Sequence, residues 1–374
     1  MNPSLLWLAA ALFTWGIGEG MFFYFQPIYL AQLGANPVQI GAILGAAGVA
    51  MMLAHIPAGA LTDKIGARPL LRAAWITGVI ASALMAAANK LPLFIVGLLL
   101  YGFTAFVAAP LNAYVTTARG NWTVGRALTL ISATFNLGIF VGTLVGGFVG
   151  DHYGLRTVYF IAAGIFIASS TLIFAIAAQP VEQHDPSAPP ASLFSNQLYL
   201  RFLGFGFFIL LVLYLPQPFS PKFLQEIRGL SLAQIGLLGS IGGLGNTALN
   251  WLLGRIKDAR LGFLLGQGAV GMFAFILWQF SALPALALAY FIFGGSRAAR
   301  TLYMVQIRPL VHPAQLGLAY GIAETIGSLV VVIGPVIAGF LYTWKPVSIY
   351  PVALAAVLVS IFLTLAFRPA PTDR

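Results

Sequence analysis

Twelve long apolar stretches, separated by short polar or Gly/Pro-rich breaks, dictate what this chain can become. They run over residues 5–30, 38–61, 70–89, 92–116, 125–149, 157–178, 198–221, 232–253, 262–281, 284–305, 317–342 and 347–367. A helix needs roughly 20 apolar residues to cross the hydrocarbon core of a bilayer, and each stretch reaches that length. Only 7% of the 374 residues are charged and 60% are hydrophobic, against about 25% and 45–50% in soluble domains. Soluble enzymes, disordered chains and nucleic-acid binders are excluded together. The net charge of +10 does not reverse this, because the basic residues stand singly between apolar runs and form no patch. Cysteine is absent, which removes disulfides, thiolate catalysis and cysteine metal sites. His152, His184 and His312 fall in loops without metal-ligand spacing. Nothing calls for a cofactor, and no Walker-type loop couples the chain to ATP. The fold class expected is an all-α membrane protein of twelve transmembrane helices.

The basic residues set its orientation. With the N-terminus in the cytoplasm, Lys64, Arg68, Arg72, Arg119, Arg126, Arg201, Arg255, Lys257, Arg260, Arg308, Arg368 and Arg374 lie at cytoplasmic ends. Only Lys90, Arg156, Lys222, Arg228 and Lys345 fall outside. An even number of spans returns the C-terminus to the cytoplasm, with a bacterial inner membrane as the expected setting. The first span is too long, and too poor in basic residues before it, for a cleaved signal peptide. The longest polar stretch, Gln179 to Asn196, reads as a cytoplasmic linker. It divides an N-terminal six-helix bundle (1–178) from a C-terminal one (197–374).

These parts repeat each other at an offset of about 195 residues. Gln39-Ile40-Gly41 returns as Gln234-Ile235-Gly236, and Gly59 and Asp63 return as Gly254 and Asp258. Phe25-x-Pro27-x-Tyr29-Leu30 returns as Phe219-x-Pro221-x-Phe223-Leu224, and Asn36 and Ser231 stand as N-caps before spans two and eight. Six spans per copy give both copies one orientation, a parallel repeat as used by alternating-access transporters.

Gly59-Ala-Leu-Thr-Asp63-Lys64-Ile-Gly66-Ala-Arg68, after span two, resembles the signature loop of the major facilitator superfamily, with Pro69 where a second basic residue is usual. Gly146-Gly147-x-x-x-Asp151-x-x-Gly154-x-Arg156 looks like a second signature of that family. Gly138-x-x-x-Gly142-Thr143-x-x-Gly146-Gly147 is similar to its antiporter motif, with Thr143 replacing the usual Pro. The resemblance implies two pseudo-symmetric six-helix bundles, spans one, four, seven and ten lining a cavity, and drug/proton exchange. It also implies that Gly59, Asp63, Lys64, Gly66, Arg68 and Arg119 form a cytoplasmic latch, with Asp258 in a weaker copy. A basic loop that only sets topology is the alternative. Gly138, Gly142 and Gly146, spaced by four, let helices approach closely in lipid. With Gly147, and with Gly334, Pro335 and Gly339 in span eleven, they are the expected surfaces on which the bundles rock.

Charges within spans cost roughly 2.5–3.5 kcal/mol or more at the bilayer centre and persist when paired or hydrated. Glu19 lies near the middle of span one, Arg297 and Arg300 share a face of span ten, and Glu324 lies at similar depth in span eleven. Glu19, on a face with Trp15, Phe22, Phe23 and Gln26, is a candidate to carry a proton or contact a cationic substrate, or to form a structural ion pair. The arginines either tie to Glu324 or bind an anionic group. Trp15, Phe22, Phe23, Tyr101, Tyr214, Tyr290 and Phe293 are candidate stacking surfaces or packed core, and Asn112 is a candidate polar contact. The reading is a monomeric secondary transporter of a small molecule, not an enzyme, with protons and the lipid bilayer as its other partners. Export of amphipathic compounds leads, and uptake of an organic anion is the alternative.

Overall fold

A computed structural model describes residues 3–122, 124–179, 193–253, 255–256, 258–311 and 316–366. All regular structure among them is helical, as lipid demands, since a spanning segment must satisfy its backbone groups internally. In chain order the helices are α1 (Pro3–Phe23), α2 (Gln26–Gln32), α3 (Pro37–Ile65), α4 (Ala67–Ala87), α5 (Leu91–Phe103), α6 (Ala108–Ala118), α7 (Val124–Tyr153) and α8 (Leu155–Phe174). There follow α9 (Gln197–Tyr214), α10 (Ser220–Glu226), α11 (Leu232–Leu253), α12 (Ala259–Gln279), α13 (Leu283–Phe293), α14 (Gly295–Val305), α15 (Leu316–Trp344) and α16 (Ile349–Ala366). Residues 180–192 of the expected linker lie outside the described residues.

Ten stretches of the described chain are long and apolar enough to cross a membrane. Two expected spans are not among them. In α11, glycines and the amides of Asn246 and Asn250 dilute the hydropathy. The tenth stretch breaks at Gly294 into two 11-residue helices, the second carrying Arg297 and Arg300. Span four bends comparably, through a 3-10 turn at Thr104–Val107 between α5 and α6. Both bends come where backbones crowd: a Cβ on Gly102 would meet the Ala47 carbonyl, and one on Gly294 would meet the Gly245 backbone.

Local signals open the helices. Ser231 and Gln234 form a capping box at α11, with N–H to side-chain oxygen distances of 3.0 and 3.3 Å. Gly66 and Gly154, at φ 81° and 83°, make the turns into α4 and α8, a conformation that glycine adopts without strain.

The chain packs as two compact units. The first comprises Met1–Asn36, Ala46–His184 and Leu224–Ser240, and the second Pro37–Gly45, Asp185–Phe223 and Ile241–Arg374. In the first, α1 and α7 run parallel at backbone contact. A Cβ on Gly138, Gly142 or Gly146 would strike the carbonyl of Phe13, Ile17 or Met21 in turn. Ser169 bridges α8 to its neighbours, accepting from Trp75 Nε1 (2.8 Å) and donating to the Ala11 carbonyl (2.6 Å). In the second, Phe202 stacks on Tyr303 at 4.8 Å. A buried network joins Gln267 to Thr364 and Ser360, each at 2.9 Å.

Candidate functional site

Glu19 sits half-buried on α1, within the first unit. Trp15 lies one turn earlier on the same face and donates Nε1–H to Glu19 Oε2 at 3.2 Å. Tyr101, near the end of α5, donates its hydroxyl to the same oxygen at 2.6 Å. The two donors are fixed by ring packing. Trp15 lies 4.4 Å from Phe166 and 5.0 Å from Trp75, and Phe22 meets Tyr101 edge-on at 5.2 Å. Gly78 makes room for this, since a Cβ there would fall on the Trp15 ring. Trp15 and Tyr101 are 8% and 7% exposed and Phe22 is fully buried, so these rings build the wall behind the carboxylate and present little face to a ligand. Phe23 points the other way and is exposed, and Gln26 is buried at the break before α2.

In the second unit, Arg297 and Arg300 stand one turn apart on α14, both exposed. Arg300 Nη2 pairs with Glu324 Oε2 at 2.5 Å, their side chains 44% and 57% exposed. Gly327 lets the guanidinium lie along α15, where a Cβ would come 3.0 Å from Nη2. Tyr290 is buried and donates to Ser220 Oγ at 3.1 Å. Phe293 packs on Phe273 at 4.4 Å, and Tyr214 packs at Gly334. Asn112 on α6 is exposed. Among the described residues no three His, Cys, Asp or Glu side chains gather as a metal site would need.

The latch residues do not form one described cluster. The surroundings of Gly59 and the Asp63 side chain lie outside what is described. Lys64 is exposed, Arg68 is half-buried on the first turn of α4, and Arg119 donates to the Thr116 carbonyl of its own helix. Asp258 caps α12, accepting the Arg260 N–H at 2.9 Å. A contact between a carboxylate and a neighbouring helix start is made by Asp151, which accepts the Leu232 N–H of α11 at 3.1 Å.

The expectation for the glycine stripe is corrected in its direction. Gly138, Gly142 and Gly146 face α1 within the first unit, because residues spaced by four share one helix face. Gly147, one position and about 100° further round, is the glycine that faces α11, at Gly236. In α15, Gly334 likewise faces α9, while Pro335 and Gly339 face Gly41 and Pro37 of α3. Sequence reasoning placed Tyr101 as a stacking ring and missed its hydroxyl bond to Glu19. It also missed Phe166 and Trp75 behind Trp15. The small residues Gly18 and Gly78, opposite aromatic rings, were the available signal.

A family model of the Major Facilitator Superfamily matches residues 8–307 and 206–374. The tetracycline resistance protein, class B, of Escherichia coli is 26% identical over 347 residues, 84% of this chain and 82% of that one. Multidrug resistance protein MdtG of Salmonella paratyphi A is 28% identical over 178 residues, 46% of this chain and 44% of that one. Several curated relatives are thus spanned over less than half of their length. Among solved structures, nucleoside transporter NupG (D323A mutant) superposes with a TM-score of 0.85 at 16% identity, covering 97% of this chain and 99% of that one. At that identity the likeness establishes the fold.

Proposed function

The chain belongs to the Major Facilitator Superfamily, and from that premise we propose that it exports small amphipathic compounds in exchange for protons. It is a multi-pass membrane transporter and not an enzyme. In this reading Glu19 carries the proton. The observation behind it is the pair of neutral donors, Tyr101 and Trp15, on one carboxylate oxygen inside an aromatic wall. These two bonds fix one oxygen of the carboxylate, and a group so placed exchanges a proton as water reaches or leaves it. Similarity to a tetracycline resistance protein along most of the chain supports export. The two six-helix bundles, 1–178 and 197–374, alternate access around a cavity. The protein works as a monomer in a bacterial inner membrane, with both termini cytoplasmic.

A second reading, uptake of an organic anion, draws on two exposed guanidiniums set against one carboxylate on α14 and α15. One assay separates the two. Proteoliposomes with an imposed pH gradient are offered a cationic amphipathic dye, ethidium, and an anionic one, fluorescein. Export coupled through Glu19 predicts that Glu19→Gln abolishes gradient-driven ethidium movement while Arg297→Ala/Arg300→Ala leaves most of it. Undiminished ethidium transport by Glu19→Gln sinks the first reading. Fluorescein uptake that survives loss of both arginines sinks the second.

A further inference from the structure

The two long antiparallel helix crossings are copies of each other, and they differ at one charge. In the first unit, α7 crosses α11: a Cβ on Gly147 would lie 2.9 Å from Gly236 Cα, and Ser240 donates its hydroxyl to the Phe140 carbonyl at 3.0 Å. In the second unit, α15 crosses α3. Gly339 faces Gly41, and Gly45, which stands where Ser240 stands in the repeat, faces the Val332 carbonyl. Both crossings are close-packed glycine contacts. Beyond the exchange of Ser240 for Gly45, their ends depart from the copy.

At the α7 end, Asp151 accepts the N–H of Leu232, the first residue of α11. The first N–H groups of a helix have no partner within it and carry the positive end of its dipole. In the other crossing α3 opens with Pro37, which has no N–H to offer. Thr343, at the position corresponding to Asp151, gives its hydroxyl to the Gly339 carbonyl of its own helix at 3.0 Å. One crossing is therefore tied by a charged cap supplied from another helix. In its copy the corresponding threonine bonds within its own helix.

We propose that Asp151 is a positioning residue of the transport cycle, one that holds α7 and α11 crossed and must release Leu232 for that end of the bundles to part. Its cap exists only while the helices cross, so it weights the closed arrangement by the differential interaction that any such switch requires. The inference rests on alternating access but not on Glu19, the cargo or the coupling ion. Loss of proton coupling in Glu19→Gln leaves it standing.

The absence of cysteine permits a test without substrate. Ser240→Cys places the single thiol on the buried face of this crossing, where Ser240 is 1% exposed. Its alkylation by a maleimide in reconstituted protein reports how often the crossing opens. In that background, Asp151→Ala is expected to speed alkylation about tenfold, in line with loss of a good cap. Asp151→Asn, which keeps an acceptor oxygen, falls between. Thr343→Ala changes the rate less than twofold. A second thiol, Ser169→Cys in the core of the same unit, stays protected in the Asp151 variants. Equal Ser240 alkylation with and without the Asp151 carboxylate overturns the proposal. So does equal acceleration at Ser169, which would mean general loosening.

Discussion

At the scale of single residues, Glu19 is held by two donors of unequal quality. The Tyr101 hydroxyl lies 2.6 Å from Oε2 and the Trp15 N–H 3.2 Å. Hydrogen bonds to charged groups contribute about 1.5–3 kcal/mol each, and steeply less as they lengthen. Tyr101→Phe removes the shorter bond and keeps the ring against Phe22 and Phe166. It is expected to slow pH-driven transport about tenfold with unchanged yield of folded protein. Trp15→Phe removes the longer bond and should slow transport less. Initial rates in proteoliposomes check the order, and a reversed order would mean that ring volume, not the donors, matters. Glu19 was legible in the sequence because an acid in an apolar span is conspicuous, and Trp15 because it lies one turn away. The Tyr101 hydroxyl was not legible: it comes from 82 positions along the chain, and helical periodicity does not say which faces of two distant helices meet. Arg300 and Glu324 pair at 2.5 Å, and counting depth from the ends of two adjacent spans had brought them level.

At the scale of elements, small residues decide which helices touch. The stripe on α7 was visible as a four-residue spacing, but its direction was not, since Gly142 and Gly147 differ in facing rather than in composition. Gly142 has the Ile17 carbonyl where its Cβ would be, whereas Gly164 on α8 has open space there. Gly142→Val should therefore force α1 and α7 apart and reduce the folded yield sharply, at a cost of 1–3 kcal/mol or about that for overpacking. Gly164→Ala should leave yield and thermal midpoint unchanged. Fluorescence-detected size exclusion after a heat series distinguishes them, and equal behaviour would refute the close approach of α1 and α7. The eighth and tenth stretches carry a related lesson. Apolar length alone promised two further spans, but Asn246 and Asn250 in α11 and the break at Gly294 give these elements a different character. Polar and bent segments in membrane helices mark places that face protein or water.

At the scale of the whole molecule, the repeat that was readable as Gln39-Ile40-Gly41 and Gln234-Ile235-Gly236 acquires a physical reason. Gly41 and Gly236 are the close-contact glycines of the two crossings, each meeting a glycine of a helix from the other copy of the repeat. This explains why compactness assigns Leu224–Ser240 to the first unit and Pro37–Gly45 to the second. The repeat signal was local and survived in short motifs. The exchange of segments depends on a state of the molecule, and no linear pattern encodes which state is populated. If transport requires the α7–α11 crossing to open, locking it must stop the cycle. Gly239 suits such a lock, since the atoms nearest to a Cβ there belong to side chains, Thr143 Cγ2 at 2.9 Å and the Tyr24 ring at 3.1 Å. In this cysteine-free chain, Thr143→Cys with Gly239→Cys should form a disulfide on mild oxidation. Transport should fall to background and return on reduction with dithiothreitol, while each single variant stays active under the same oxidant. A fully crosslinked sample that still transports at the reduced rate would show that this crossing stays closed throughout the cycle, and access would then have to alternate by some other movement.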